Sequence, residues 1–562
     1  MNGIHSTPKP YLLIQARLGS TRLKGKVLES LSPEQDPDLT ILEHLHKRLL
    51  FLFPNEQIIF LIPTTDSELA NYLKSKSINY FCGSEINVRD RYIQCAQYYG
   101  IKDIFRLTGD NPFVDLQSIQ FLWEALFYLK SRYYSLAMTG LPLGMGIECF
   151  SYESLIYNLE FNEQSRHTEH VSLHIKEHPE IHNIYRIKAP HLLPEERSFS
   201  QKIRLTIDEP KDLELARILW KYFKDKNQFF GAKEIYELYK LDPKLFEINK
   251  SIEQVSFPLP EPKPSDTNCE IIYGDPIEFG TGHMERSLSL SIFFQMNEIE
   301  TELVNSKLYK NEKASTENTP PNKDNIKPMR IFDVRECFGE EEDVFFIDNL
   351  IHPPNKENSS FFLPHPTEDY SSKKSISFFT SPILQGFVSS PETKEEKCRL
   401  LIYLGNLNDK QTKLVDDFVL NTLQFNFNFD LITRVGGTTA KDSRIQYLPR
   451  VQKLHFYHMI QQSNFVLTYF GLTLFESIYL SKKTFVVGIS ETHERLGEFV
   501  SELFEIPYLG KLAHLTLENP YTKEFLKNRL ESFHSKHKSK RPNKYLTLDA
   551  HHKILNWIQN KK

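Results

Sequence analysis

Residues Gln15–Lys26 combine, in one short segment, the residue types that can hold a triphosphate. The segment QARLGSTRLKGK contains two glycines, two small hydroxyl residues and four cations. Glycine lets the backbone approach a phosphate closely, and exposed N–H groups can cradle the anion. Arg17 and Lys26 can neutralise the charge that develops as pyrophosphate leaves. The pattern predicts a phosphate-binding loop that differs from the P-loop pattern, and the spacing alone leaves a solvated basic loop as the alternative.

Two aspartates that follow apolar runs are candidate metal ligands. Asp110 lies in TGDNP and Asp208 in LTIDEP, and the sequence predicts that each ends a strand. Parallel strands would bring both carboxylates to one rim of a sheet, where they repel each other unless a cation separates them. Mg²⁺ binds one or two carboxylates together with phosphate oxygens and water. The pair therefore predicts a Mg²⁺ site, while a turn residue or helix N-cap is the alternative for either aspartate alone.

The elements that must position these residues alternate between strands and helices. Apolar runs at 11–16, 58–62 and 103–107 predict buried strands, and helical periodicity at 41–49 and 67–76 predicts helices between them. This alternation predicts an α/β fold with a Rossmann-like, mostly parallel sheet covered on both faces. The glycine loop follows the first strand, which is where open α/β sheets bind ligands.

Proline-rich and polar segments predict how the chain is divided. Alternating prolines in FPLPEPKPSDTN favour a stiff, extended linker, and strand and helix signals resume after it in two further blocks. Polar insertions are expected at 309–328 and 353–375. The predicted parts are a first domain at 1–250, a linker at 251–267, an N-terminal lobe with the insertions at 268–395, and a C-terminal lobe at 396–562.

The composition narrows the classes of function. The chain of 562 residues has a formal net charge of −5 at pH 7, so its overall charge does not favour nucleic acid or an anionic membrane as a partner. Its six cysteines include no pair at two-residue spacing, which argues against a zinc ribbon or a dithiol redox motif. The sequence shows no signal-peptide pattern and no apolar run of membrane-spanning length. We therefore expect a cytoplasmic protein without a membrane span, and a homodimer is left open.

Residues 11–215 resemble a known family in several motifs. These are IQARLGSTRLKGKVLESL, FCGSEINVRDRY, RLTGDNPFVD, LPLGMGIECFS, SRHTEHVSLHI and RLTIDEPKDLEL, in the family's order. Together they resemble the cytidylyltransferases of acidic-sugar and spore-coat polysaccharide synthesis, which include the synthetases of CMP-activated keto-deoxy sugars and nonulosonic acids. The resemblance implies transfer of CMP from CTP to a sugar, with release of pyrophosphate. One departure is Lys24, where the family usually has proline.

The resemblance also implies roles for individual residues. It puts Asp110 and Asp208 at the family's Mg²⁺ positions and makes Arg17 and Lys26 catalytic cations. The positions that would contact the nucleotide are Gln15, Ala16, Gly19, Ser20, Thr21, Arg22, Thr64, Gly83, Ser84, Arg91 and Gly109. The choice of CTP over UTP is implied by the family alone.

Further residues would face the sugar acceptor or the nucleotide from the side. By analogy with the family, Glu148, Glu169 and His170 would lie on the acceptor side, with a structural histidine as the alternative for His170. Arg89 and Arg91 fall at a predicted helix start, where a surface ion pair is the alternative to a nucleotide contact for Arg91.

The rear half carries a weaker resemblance. GTGHMERSLSLS and SNFVLTYFGLTLFESIYLSKKTFVVGIS are similar to segments of the UDP-sugar hydrolase of the pseudaminic-acid pathway and its spore-coat relatives, which share a two-lobed B-type glycosyltransferase fold. The resemblance implies that His283 activates water, a role for which histidine is a common residue type. It also implies that Glu476 accepts hydrogen bonds from the ribose of a UDP-sugar. Gly282, Gly471 and Thr473 would then contact the nucleotide.

Departures from that second family leave several interpretations open. The usual double-glycine loop has the sequence GNLND from Gly405, and bulky residues flank Gly471 in FGL. Larger side chains in turns that approach phosphates would weaken binding. A UDP-sugar hydrolase, a true glycosyltransferase and an inactive nucleotide-binding or docking module therefore all remain alternatives for the rear half.

Overall fold

The computed structural model of the chain shows two compact units. It describes residues 7–157, 165–252, 267–276, 280–310, 328–334, 344–347, 359–360, 375–388, 398–405, 407–436, 442–449, 451–514 and 546–561. We call the first unit, which runs to residue 266 and includes Gln295–Ile299, the front unit. The second, Thr267–Phe294 with Glu300–Lys562, is the rear unit.

The front unit is built on one seven-stranded sheet. Its strands in chain order are β1 (Tyr11–Gln15), β2 (Ser30–Ser32), β3 (Asp36–Thr40), β4 (Ile58–Pro63), β5 (Tyr80–Gly83), β6 (Asp103–Thr108), β7 (Tyr134–Thr139), β8 (Glu148–Ser151) and β9 (Asn183–Lys188). The sheet has the order β5-β4-β1-β6-β8-β7-β9, and β2 pairs with β3 separately. Strand β8 runs antiparallel to both neighbours, and the other pairs of the sheet are parallel. The predicted mostly parallel α/β sheet is thus confirmed.

Helices cover this sheet. They are α1 (Ile41–Leu49), α2 (Ser67–Ser75), α3 (Val88–Tyr99), α4 (Leu116–Leu126), α5 (Tyr152–Ile156), α6 (Ser165–Glu169), α7 (Leu173–Lys176), α8 (Pro194–Ser200), α9 (Pro210–Phe223) and α10 (Ala232–Leu241). Every residue of β4 is buried, as expected for a central parallel strand between two helical layers. On one face Leu13, Ile59 and Leu61 pack with Tyr92 and Cys95 of α3.

The prediction that Asp208 ends a strand is wrong. Residues 205–208 lie outside the sheet, and Arg204 makes only an isolated bridge with Leu143. The segment is instead held by loops, because the N–H of Leu205 donates to the carbonyl of Leu143 and that of Ile207 to the carbonyl of Asp110. This second bond, 3.0 Å long, brings Asp208 beside Asp110 without a strand.

The rear unit contains two larger parallel sheets and one short strand pair. Its strands are β10 (Asn268–Tyr273), β11 (Glu300–Asn305), β12 (Met329–Asp333), β13 (Val344–Ile347), β14 (Ser359–Ser360), β15 (Ile376–Ser377), β16 (Arg399–Ile402), β17 (Leu431–Val435), β18 (Ile445–Leu448), β19 (Phe465–Thr468), β20 (Lys483–Gly488), β21 (Tyr508–Lys511) and β22 (Leu546–Thr547). The sheets have the orders β11-β10-β12-β13-β14 and β18-β17-β16-β19-β20-β21, and β15 pairs with β22.

Helices of the rear unit follow the strands of both sheets. They are α11 (Gly282–Met296, of which the last two residues are counted with the front unit), α12 (Asp409–Phe418), α13 (Gln424–Phe427), α14 (Lys453–Gln462), α15 (Leu472–Tyr479), α16 (Glu491–Phe504) and α17 (Ala550–Lys561). Within the described ranges, no helix is long and apolar enough to cross a membrane. The predicted linker falls mostly, and the predicted polar insertions fall largely, outside the described residues.

Candidate functional site

A cleft lies at the carboxyl ends of β1 and β6, the central strands of the front unit. Its volume is about 200 Å³. The residues that line it are Gln15, Ala16, Arg17, Ser20, Thr21, Arg22, Lys26, Val27, Val88, Arg91, Thr108, Gly109, Asp110, Glu169 and Asp208. Most residues predicted to bind nucleotide or metal in this unit therefore meet in one place. Gly19, Thr64, Gly83 and Ser84 are predicted site residues that do not line it.

The loop after β1 is folded back on itself and is bonded to the residue before α2. The N–H groups of Ser20 and Gly25 both donate to the carbonyl of Leu18, at 2.8 and 3.1 Å. The N–H of Leu18 donates to Asp66 Oδ2 at 3.0 Å, so the residue before α2 anchors the loop. The loop therefore has a defined shape before any ligand binds.

Gly109 allows the ends of β1 and β6 to approach closely. Its N–H donates to the carbonyl of Gln15 at 2.8 Å. A Cβ at this position would lie 2.9 Å from Leu42 Cδ2 and 3.1 Å from the Cβ of Ala16. Only glycine fits there without displacing these neighbours, and the close approach places the next residue, Asp110, at the floor of the cleft.

Lys26 lies between the two aspartates that the sequence predicts as metal ligands. Its Nζ donates to Asp110 Oδ2 at 2.6 Å and to Asp208 Oδ1 at 2.8 Å. The side chain of Lys26 is only 10% exposed, and those of the aspartates are 22% and 13% exposed. A charge-assisted contact so short and so little solvated is much stronger than a surface ion pair.

Asp208 is held by a buried network on its far side. Arg204 donates to Asp208 Oδ2 at 2.6 Å and through Nε to Asp212 Oδ1 at 3.0 Å. Asp212 in turn accepts the N–H groups of Asp208 and Glu209, while Asn249 donates to both Asp212 and the carbonyl of Arg204. One oxygen of Asp208 is thereby committed to Arg204, and the other faces the cleft.

The charges around Asp208 keep it ionised. Burial raises the pKa of the carboxyl, but the hydrogen bond and charge of Lys26, together with Arg204 and Arg22, outweigh it, so the pKa lies below its ordinary value. Arg22 approaches the same Oδ1 at 3.2 Å. An anionic Asp208 is the form that a metal ion requires.

The side chains of Asp110 and Asp208 fit part of a magnesium site. One carboxylate oxygen of Asp110 and one of Asp208 converge on the same position, which Lys26 Nζ occupies. Among the described residues, no group of three or more His, Cys, Asp or Glu side chains could hold a metal alone. Proteins usually supply one or two carboxylates to a magnesium ion, and phosphate oxygens and water fill its remaining positions.

Arg91 forms the wall of the cleft beside the loop. It is 2% exposed, and the expected alternative of a surface ion pair is wrong because both Arg89 and Arg91 are buried. Arg91 donates to the carbonyl of Ser84 at 2.9 Å and to that of Leu61 at 3.1 Å. Burial lowers the pKa of Arg91. Gly83 makes room for this side chain, since a Cβ there would lie 2.7 Å from Arg91 Cγ.

A second polar network lies beside Gln15. Arg106 donates to Gln15 Oε1 at 3.2 Å and approaches Glu148 Oε2 at 3.4 Å. Glu148 also accepts from Ser172 at 2.6 Å and pairs with Lys176 at 2.6 Å. Because a guanidinium can only donate, the Gln15 oxygen must face Arg106, which leaves its amide N–H groups as the donors.

The remaining predicted acceptor residues lie at or near the mouth of the cleft. Arg17 and Glu169 approach each other at 3.9 Å, and both side chains are more than half exposed. Such an exposed pair contributes little to stability, so both groups are free to meet a ligand at low cost. His170 is also exposed, and its partial desolvation lowers the pKa of its imidazole.

Comparison with known proteins assigns a family to the front unit. The cytidylyltransferase family model matches residues 11–244. An uncharacterized protein of Methanocaldococcus jannaschii is 32% identical over 247 residues, covering 44% of this chain and 96% of that protein. The spore coat polysaccharide biosynthesis protein SpsF of Bacillus subtilis is 32% identical over 236 residues, covering 41% of this chain and 94% of SpsF. The chain belongs to the cytidylyltransferase family.

A solved cytidylyltransferase structure also resembles the chain. It comes from Leptospira borgpetersenii serovar Hardjo-bovis, is 28% identical and has a TM-score of 0.39. The similarity covers 44% of this chain and 100% of that one.

Sequence reasoning missed several residues of this cytidylyltransferase that hold the cleft side chains in place. They are Tyr92, Arg106, Lys176, Arg204, Asp212 and Asn249. Arg204 and Asp212 flank the LTIDEP motif, and their spacing of four on either side of Asp208 was the available signal. Asn249 is distant in the chain and gave none.

In the rear unit, the predicted catalytic histidine belongs to a buried cluster. Nδ1 of His283 lies 2.7 Å from Asp333 Oδ1, and Arg286 donates to Asp333 Oδ2 at 3.0 Å. Burial raises the pKa of Asp333, but the charges of Arg286 and His283 outweigh it and the pKa lies below its ordinary value. Asp333 is therefore a carboxylate that orients the imidazole at the start of α11. Gly282 is the first residue of that helix.

The predicted ribose-binding glutamate is also buried. Glu476 Oε1 accepts from Thr380 at 2.5 Å and from Tyr457 at 3.2 Å, and Lys453 Nζ lies 2.6 Å away. Oε2 is buried and has no hydrogen-bond partner. Gly471 is the N-cap of α15 and Thr473 lies in its first turn, so both are near the end of β19.

Proposed function

We propose that the front unit transfers CMP from CTP to an acidic sugar and releases pyrophosphate, using Mg²⁺ held by Asp110 and Asp208. The observation that carries the proposal is the convergence of Lys26, Asp110 and Asp208 at the floor of a cleft in a cytidylyltransferase fold. Nucleotidyl transfer depends on positioning and on charge stabilisation rather than on covalent chemistry by the protein.

The chain's own residues divide this work between them. Arg17, Arg22 and Lys26 supply cations along one side of the cleft and would bind the triphosphate. The N–H groups of Leu18, Ser20 and Gly25 shape the loop itself, so any backbone contact to phosphate would come from its other N–H groups. Arg91 closes the wall towards the nucleotide. When bound, magnesium offsets the negative charge at the α-phosphate.

The acceptor is proposed to be a nonulosonic or related acidic sugar used in surface polysaccharide biosynthesis. The relative SpsF is named as a spore coat polysaccharide biosynthesis protein, which supports this setting. The exposed guanidiniums of Arg17 and Arg22, with side chains 54% and 52% exposed, give the cleft a positive rim that favours a carboxylate. The N–H groups of Gln15 can donate to a sugar hydroxyl or carboxylate oxygen.

Pyrophosphate release from CTP tests this proposal. The full chain would be incubated with Mg²⁺, CTP and a panel of keto-deoxy, nonulosonic and neutral sugars. We expect metal-dependent release with at least one acidic sugar and a CMP–sugar signal by ³¹P NMR. Release with neutral sugars alone would contradict the acidic acceptor, and release with no member of such a panel would contradict the proposed substrate class.

For the rear unit we propose a nucleotide site of the UDP-sugar hydrolase type. Two parallel sheets, the buried His283–Asp333 pair and the unpartnered Oε2 of Glu476 support it. A buried carboxylate oxygen without a donor is costly, and a ribose hydroxyl would satisfy it. A true glycosyltransferase and a non-binding docking module are the competing outcomes.

Calorimetry with UDP separates these outcomes. We expect the full chain to bind UDP and Glu476→Gln to weaken the binding by about tenfold, since one hydrogen bond to a charged group is lost. A matched control is Glu502→Gln, at an exposed position in the last turn of α16. Absence of UDP binding would contradict the nucleotide site; if UDP binds, free sugar from a UDP-sugar indicates a hydrolase and a glycoside product a transferase.

A further inference from the structure

We infer that Lys26 is an internal counter-ion that competes with a divalent cation for Asp110 and Asp208, so that metal binds well only when it arrives with the triphosphate. This inference rests on the proposed function of the same cleft and adds an order of binding to it. It concerns what Lys26 does before CTP is present.

The contacts of Lys26 support direct competition. Its Nζ donates to Asp110 Oδ2 and Asp208 Oδ1, at 2.6 and 2.8 Å, and these are the oxygens that face the cleft. The other oxygen of Asp208 is committed to Arg204. An ammonium and a magnesium ion cannot share the same oxygens at these distances, since Mg²⁺ needs ligands at 2.0–2.1 Å.

The charge balance gives the same result. Without nucleotide, the two aspartates already face Lys26, Arg204 and Arg22. A divalent cation would enter a place where negative charge is already matched, and it would leave the Lys26 ammonium without an acceptor in a little-solvated position. A bare metal ion is therefore disfavoured.

The triphosphate reverses this balance. Its oxygens bring new negative charge next to the loop and give the ammonium an alternative acceptor. Lys26 begins the short helix Lys26–Leu28, and its flexible stem can carry the ammonium from the carboxylates to a phosphate. Metal and nucleotide then favour each other's binding, and by linkage the effect is equal in both directions.

Manganese binding in the absence of nucleotide tests the inference. Mn²⁺ would be titrated into the full chain, and the free ion would be measured by electron paramagnetic resonance. The proteins compared are the wild type, Lys26→Met, Lys26→Arg and Lys24→Met. We expect Lys26→Met to bind Mn²⁺ about tenfold or more tightly than the wild type, because a close positive charge and a competitor are both removed. Lys26→Arg keeps the charge and should bind weakly, as the wild type does.

Two controls separate competition from simpler effects. Lys24→Met removes an equal charge from the same loop at an exposed position, so it should leave Mn²⁺ affinity near that of the wild type. Asp110→Asn in the Lys26→Met background should abolish the gain. Equal Mn²⁺ affinity of Lys26→Met and wild type would overturn the inference, as would an equal gain in Lys24→Met.

A non-hydrolysable CTP analogue distinguishes failure of this inference from failure of the proposed function. If Mn²⁺ binds through Asp110 with the analogue but Lys26→Met shows no gain without it, only the competition is wrong. If Asp110→Asn and Asp208→Asn change Mn²⁺ binding in neither condition, the metal assignment itself is wrong. Should Lys26→Met unfold, restoration of its fold by Mn²⁺ alone supports the inference, and failure to restore it contradicts it.

Discussion

Arg91 is a buried cation that forms part of the wall of the cleft. It is buried against the carbonyls of Ser84 and Leu61, and it reaches the wall of the cleft because Gly83 leaves room for its stem. Gly83 and Ser84, which do not line the cleft, therefore affect it through Arg91. The predicted contact of Gly83 and Ser84 with the nucleotide stays a prediction. In the structure both residues support Arg91, which lines the cleft.

Replacing Gly83 tests that role. Gly83→Ala places a Cβ 2.7 Å from Arg91 Cγ, so the arginine must shift, at a cost of about 1–3 kcal/mol for overpacking. We expect the KM for CTP to rise several-fold and kcat to change less. Gly146→Ala is the control, since the nearest atom to its Cβ is 4.0 Å away. Steady-state kinetics decide, and an unchanged KM in Gly83→Ala would contradict the role of Arg91.

Single residues also mark the limit of what the sequence could predict. Arg17, Lys26, Asp110 and Asp208 were found because their types suit phosphate and metal chemistry, and the structure brings them together. Asn249, which helps to hold Asp208, could not be found in this way. A hydrogen bond between residues far apart in the chain leaves no periodicity or local motif.

Among the elements, the continuous apolar runs were the easiest to predict. Residues 58–62 and 103–107 were expected as strands and correspond to β4 and β6. The prediction of a strand before Asp208 was wrong because the LTI run is short and its apolar residues are buried without pairing in the sheet. Leu205 and Ile207 are buried outside the sheet, and their N–H groups bond to the carbonyls of Leu143 and Asp110. Burial alone does not reveal whether a segment pairs with a strand or with a loop.

The contact between β8 and α7 depends on one buried carboxylate. Burial raises the pKa of Glu148, but the charges of Lys176 and Arg106 outweigh it, and the pKa lies below its ordinary value of 4.5. The folded protein therefore binds fewer protons here than the unfolded chain. The stabilisation is full above about pH 4.5 and is lost as pH falls through the lower folded pKa.

The variant Glu148→Gln should remove this pH dependence. At pH 7 we expect a local destabilisation of about 1–3 kcal/mol, because Lys176 and Arg106 lose a charged partner. Between pH 5 and 3, the stability of β8 and α7 should fall less steeply in the variant than in the wild type. The local stability of β8 and α7 is measured by hydrogen exchange of peptides from these elements, corrected for the intrinsic exchange rate at each pH. The exposed Glu195→Gln is the control, and parallel profiles for wild type and Glu148→Gln would contradict the account.

For the whole molecule, the cleft and its supporting network are contained in the front unit. All of the residues that line the cleft lie between Gln15 and Asp208, and the family model ends at residue 244. The rear unit has its own parallel sheets and its own buried polar clusters. The expected two-lobed B-type glycosyltransferase fold of this unit stays a prediction, and its nucleotide and its chemistry remain proposals.

Loss of metal-dependent pyrophosphate release in the aspartate variants tests the central claim most directly. The full chain would be assayed with CTP, Mg²⁺ and its best acidic sugar, as wild type, Asp110→Asn, Asp208→Asn and the exposed control Asp225→Asn. We expect kcat to fall by roughly 10²–10³-fold in Asp110→Asn and in Asp208→Asn, because each loses charge stabilisation by the metal worth several kcal/mol. We expect kcat to be unchanged in the control. Near-normal turnover in both Asp110→Asn and Asp208→Asn would contradict the account.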